Sequence, residues 1–115
     1  MTHQAPPSPA ANGPDPGRQI AQLHEALRLV ERLAGEERTH DRALDEAARI
    51  SDAYDLALPV VQRRFETLAS ETALWATAGV EALLASGPVP PSRVAAARLA
   101  RQLDTALDDL AALLR

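Results

Sequence analysis

Between Leu44 and Ala82 apolar side chains recur at every third or fourth position, and a proline, Pro59, sits inside the run without changing its phase. On a helical projection Tyr54, Leu58, Val61, Phe65, Leu68 and Trp75 fall within about 100° of arc, the stripe of an amphipathic helix. Only Thr72 interrupts the run between Leu68 and Trp75. Pro59 lacks an N–H, and its ring meets the carbonyl four residues earlier, that of Asp55. The segment therefore predicts either one long helix kinked near Asp55–Pro59 or two helices with Pro59 opening the second. The preserved phase favours the kink. The chain's single Tyr, Phe and Trp all lie on this seam. That placement assigns Tyr54, Phe65 and Trp75 to the core, each burying roughly 150–250 Å².

Helix signals flank this segment on both sides. Asp15-Pro16 pairs a capping side chain with a proline at the first helical position. Ile20, Leu23, Leu27, Val30 and Ala34 then lie within about 80° of arc. Gly35 suits a helix C-terminus. Carrying the stripe past it would set Glu37 and Asp41 on the apolar seam, so the first helix is expected to end near Ala34. Thr39 is the expected cap of the next helix, on which Arg42 and Glu46 have the spacing of an i,i+4 ion pair. "ASGPVPPS" at 85–92 reads as a loop, since three prolines forbid helix and Ser92 can cap the next one. The last helix, about 92–114, sets Ala96, Leu99, Leu103, Ala106, Leu107, Leu110, Leu113 and Leu114 on one face. Residues 1–17 hold five of the nine prolines, so 1–15 is expected to be a disordered proline-rich tail and 16–115 the folded domain.

With 115 residues, the chain suits one small domain with a modest core. Few aromatic and β-branched residues argue against a sheet. The expected fold is an all-α, up-down helical bundle of three long helices, or four if Pro59 breaks the middle one.

Composition excludes several kinds of chemistry. The absence of Cys rules out disulfides, thiolate-bound zinc and cysteine nucleophiles. No run of about 18 apolar residues is present, so no membrane span is expected. The polar start resembles no secretory signal, and the protein is expected to be cytoplasmic. All 12 basic residues are Arg and the net charge is −4. Arg without Lys, beside abundant Ala, Leu and Pro, resembles the composition of proteins from a GC-rich bacterial genome. An acidic chain lacks the electrostatic footprint of a DNA binder.

A second apolar seam runs along the middle segment. Leu56, Val60, Thr67, Leu74, Ala78 and Ala85 lie about 100–160° from the aromatic stripe, at heptad-like spacing. Besides leucines that are simply exposed one by one, two arrangements account for such a seam. The long helix is central, with the first helix on one side and the last on the other, or the seam is a self-association face of a homodimer. Leu56, Val60, Leu74 and Ala78 are the candidate interface residues.

The sequence carries little catalytic chemistry. Glu37-x-x-His40 has the spacing of a di-metal carboxylate motif, but no second copy exists to complete it. His24, at the edge of the first stripe, and His40 are the candidate functional histidines, for phosphotransfer or pH sensing. A phosphotransfer module would also want a small residue and a Lys beyond the His, and neither histidine has them in a matching position. No nucleophile elbow or Gly-rich phosphate loop is present. Arg63, Arg64 and Arg49 could touch nucleic acid, but Asp52, Asp55 and Glu66 flank them. No catalytic residue, cofactor or metal is expected, and no small-molecule substrate is evident. The expected activity is that of a non-enzymatic protein–protein interaction module, an adaptor, regulator or assembly subunit. Its partner is itself or another protein helix. The alternatives are a small regulator with a functional histidine and, third, a weak nucleic-acid-associated regulator.

Overall fold

The computed structural model describes residues 15–36, 43–85, 87 and 89–115, and within them all regular structure is helical. Four helices are arranged in chain order: α1 Pro16–Ala34, α2 Ala43–Leu56, α3 Pro59–Leu84 and α4 Arg93–Leu113. Most of the proline-rich tail, Thr39 and the Glu37-x-x-His40 motif with its candidate His40 lie outside the described residues.

The first helix begins and ends where its local chemistry dictates. Asp15 Oδ1 accepts the Arg18 N–H at 3.0 Å, and Pro16 takes the first position, where a missing N–H costs nothing. At the other end Gly35 adopts φ 75°, a left-handed conformation that costs glycine little. Its N–H reaches Arg32 O and that of Glu36 reaches Glu31 O, which satisfies carbonyls the helix leaves open. The Arg93 guanidinium lies over this terminus, where a cation suits the helix dipole. The start of α4 is fixed by the Ser92 hydroxyl, which accepts the Ala95 N–H at 3.2 Å.

Pro59 breaks the middle segment instead of kinking it, so the bundle has four helices. Leu58 is extended at φ −64°, ψ 148°, the conformation a following proline imposes. The break leaves carbonyls at the end of α2 without helical partners. Tyr54 O is met by the Ala57 N–H at 3.1 Å and by Gln62 Nε2, donating from α3, at 2.7 Å. The corner lets Phe65 fold back against Tyr54, edge to face, with centroids 5.8 Å apart. Helical phase survives the turn, which is why the stripe alone pointed to a kink.

The helices alternate in direction. Gly17 lies against Ala47 and Ser51 while His24 meets Glu46, so α1 and α2 run antiparallel. Gly35 meets Arg93, which pairs the end of α1 with the start of α4. Gly79 meets Leu99, and Leu113 lies beside Val60 and Arg64, so α3 and α4 are antiparallel too. The centre of the bundle is α1, which packs on each of the other three. α3 packs on both α1 and α4, as the central-helix reading required, but it meets them with one face.

The core is built from Ile20, Leu23, Leu27 and Val30 of α1, Ile50 and Tyr54 of α2, Phe65 of α3, and Leu99, Leu103, Leu107 and Leu110 of α4. The expected stripes of α1 and α4 are the buried ones, apart from Ala106, Leu113 and Leu114, which are half-buried. On α3 the buried face is Phe65, Ala69, Thr72, Ala76 and Leu83. It is rotated from the expected seam, so Trp75 is not a core residue: it stands at the surface, 36% exposed. Leu58 is exposed as well. Alanine at 69 and 76 brings α3 close to its neighbours, and a bulky indole would hold it off. Thr72 enters the core because its hydroxyl donates to Leu68 O at 2.7 Å, which removes the cost of burying a lone polar group.

Candidate functional site

The second seam is on the outside of the fold. Leu56 is 88% exposed and Leu74 73%, Val60 is half-exposed, and Ala78 is exposed. On α3 the exposed positions Val60, Thr67, Leu74 and Ala78, with Ala85 at its C-cap, lie opposite the face that carries Phe65, Ala69 and Thr72 into the core. Within the chain, then, neither α1 nor α4 covers this seam. Leu56 is the last residue of α2, before the Pro59 corner, so it does not continue the α3 stripe along one helix. Exposed Leu58 adjoins it, and exposed Leu84 and Val89 stand at the other end of α3. Single exposed leucines are ordinary on a protein surface, but a row along one helix is the usual mark of an interaction site.

Charged groups punctuate the same face in order. Arg63 and Arg64 are near the start of α3, Glu71 at its middle and Glu81 near its end, all exposed. On one flank of the stripe lies a groove of about 750 Å³ between α1 and α3. It is walled largely by small residues, among them Ala26, Ala69, Ala73 and Ala76, with Leu74 and Ala78 on its lining. Among the described residues Glu81 is the one ionisable side chain lining it, which suits the groove to apolar contact and leaves it poor in acid–base chemistry.

The candidate histidine that the structure describes, His24, occupies an inter-helix position. Its Nε2–H donates to Glu46 Oε1 at 3.0 Å, tying α1 to α2, and the ring is mostly buried. Glu46 thus reaches across to the neighbouring helix. Arg49, Arg63 and Arg64 are exposed on α2 and α3.

Among the described residues the strongest electrostatic perturbation lies at the Pro59 corner. Tyr54 donates its hydroxyl proton to Glu66 Oε2. Burial, aided by that hydrogen bond and by the negative charges of Glu66 and Asp55, pushes the phenol up to about 12. Its role is structural, since the ring packs on Phe65 and the hydroxyl pins α2 to α3. Among the described residues no three His, Asp or Glu side chains converge in a group that could hold a metal ion, and no helix is long and apolar enough to cross a membrane.

Comparison of the chain with protein-family models, with curated proteins and with solved structures gives no match.

Proposed function

We propose that the chain is a non-enzymatic interaction module that associates with itself through the outer face of α3. The observation that carries this reading is the exposure of Leu56, Val60, Leu74 and Ala78 in a fold whose other apolar stripes are internal. Leaving such a row in water forgoes roughly 25 cal/mol for each Å² of apolar surface that a partner could cover. A second copy presents the same row, so a twofold contact is the simplest way to cover both.

The surroundings support an interaction role over a catalytic one. The groove beside the stripe is mostly apolar, with a single carboxylate among the described residues that line it. His24 is engaged between two helices, where a structural bond to Glu46 accounts for it and a phosphoryl donor would have poor access.

Light scattering across a concentration series tests the reading. The expected molar mass approaches twice 12.3 kDa, and replacing Leu56, Val60 and Leu74 together with Glu returns the monomer with its helicity intact. A wild-type chain that stays monomeric at every concentration overturns self-association. Loss of helicity in the triple variant would make the face part of the core and overturn its assignment as an interface.

A further inference from the structure

Resting on that self-association, we propose that two copies pair their α3 helices antiparallel about a twofold axis, with Arg64 of each copy facing Glu81 of the other. The argument begins with spacing. Val60, Thr67, Leu74 and Glu81 recur every seventh residue, and Arg64, Glu71, Ala78 and Ala85 each stand four residues later. These are the two core positions of a heptad. In an antiparallel pair a residue of one set faces a residue of the other.

Charge decides the direction. In a parallel pair Arg64 meets Arg64, Glu71 meets Glu71 and Glu81 meets Glu81, three like-charge contacts on one short seam. Among the described residues neither Arg64 nor Glu81 has an ion-pair partner within the chain. The antiparallel pair with the helices in full overlap matches Arg64 with Glu81 twice, once on each side of the axis. The same register sets Val60 on Ala85 and Thr67 on Ala78, small against medium, which lets the helices approach closely. Slipping the pair by one heptad sets Arg64 on Leu74 and leaves Glu81 beyond the partner helix.

The ends of α3 agree with this direction. Exposed Leu56 and Leu58 stand beside its first residue, exposed Leu84 and Val89 at and beyond its last. Antiparallel pairing brings each apolar end onto the opposite apolar end of the second copy. One contact is unfavourable: Glu71 lies beside the axis, within about one turn of its own symmetry mate, so Glu71→Gln is expected to tighten the dimer.

Charge reversal tests the pairing. Arg64 and Glu81 are exposed, so neither substitution should disturb the fold, and circular dichroism checks that. Arg64→Glu alone and Glu81→Arg alone each create two like-charge contacts. Each is expected to weaken dimerisation about tenfold, near 1.4 kcal/mol. In an equimolar mixture of the two variants both contacts are again opposite in sign, and affinity returns to about that of the wild type. Because the chain has no Cys, disulfide trapping gives an independent readout. Thr67→Cys is expected to cross-link with Ala78→Cys and not with itself. If the wild type dimerises but the single reversals do not weaken it, or the mixture does not restore it, or Thr67→Cys links to itself, the antiparallel pairing is overturned while self-association stands. A wild type that never dimerises overturns both.

Discussion

Gly79 of α3 leaves the space that Leu99 of α4 occupies: a Cβ on Gly79 would stand 2.9 Å from Leu99 Cδ2 and 3.0 Å from Cδ1. In an isolated helix Gly79→Ala would gain about 1 kcal/mol of helix propensity. Here the added methyl drives into both methyls of a buried leucine, an overpacking cost of about 1–3 kcal/mol. Gly79→Ala is therefore expected to lower stability slightly, by about 1 kcal/mol in urea denaturation. In a Leu99→Val background the same change becomes neutral or stabilising. Stabilisation in the wild-type background would mean that α3 and α4 are not in close contact at this point.

Phe65 and Trp75 should respond very differently to truncation. Phe65 is fully buried against Tyr54, and Trp75 stands at the surface. Phe65→Ala is expected to cost about 3–5 kcal/mol. Trp75→Ala, which removes a ring that is 36% exposed, should cost less, about 1–2 kcal/mol, when measured on dilute protein. Equal losses in urea denaturation would return Trp75 to the core.

Tyr54 gives a clean pH prediction because it is the only tyrosine and the chain contains no Lys. Its folded-state pKa, about 12, lies above the ordinary 10.0. The folded chain therefore holds the phenol proton more tightly than the unfolded chain. The resulting stability is fully present below pH 10 and is lost as pH rises from 10 to about 12. Absorbance of the phenolate should show a midpoint near 12, brought partway back toward 10 by Glu66→Gln, with the burial contribution remaining. A wild-type midpoint at 10 would show that Tyr54 is neither buried nor bonded to Glu66.

Both ends of α1 carry local determinants that can be removed singly. Asp15→Ala deletes the cap on Arg18 N–H and is expected to cost about 1 kcal/mol, a fall of roughly 4–8 °C in Tm. Gly35→Ala places a side chain at positive φ and against the Arg93 guanidinium, for a loss of about 1–2 kcal/mol. Thermal unfolding monitored by far-ultraviolet circular dichroism measures both. Unchanged Tm values would indicate that α1 frays beyond these caps.

α1 and α4 were legible in the sequence because each has a single apolar face. Their periodic residues alone select Ile20, Leu23, Leu27, Leu103 and Leu110 for the core. α3 was harder, since it is apolar on two sides and alanine carries little preference. Trp75 drew the expected seam toward itself by size, while Thr72, a nominal break in the pattern, is internal because Leu68 O accepts its hydroxyl. Pro59 announced an interruption, but phase does not report direction, and the reversal depends on Gln62 and Tyr54 meeting across the corner. The stripe of Val60, Leu74 and Ala78 was visible as a second face, though only the packing of α1 and α4 shows which face is left outside. The bond from His24 to Glu46 spans 22 positions, beyond the reach of local pairing rules, which matched Glu46 with Arg42 on its own helix.

The placement of α1 at the centre also sets an order of opening. α3 and α4 hold one another as well as α1, whereas α2 is held mainly by α1, by the His24–Glu46 bond and by Tyr54 at its end. Fluctuations that release α2 leave a three-helix unit with its own leucine core, but any that displace α1 dismantle the whole. Amide hydrogens of α2 should therefore exchange with solvent well ahead of those in the middle of α1, which are released only by global unfolding.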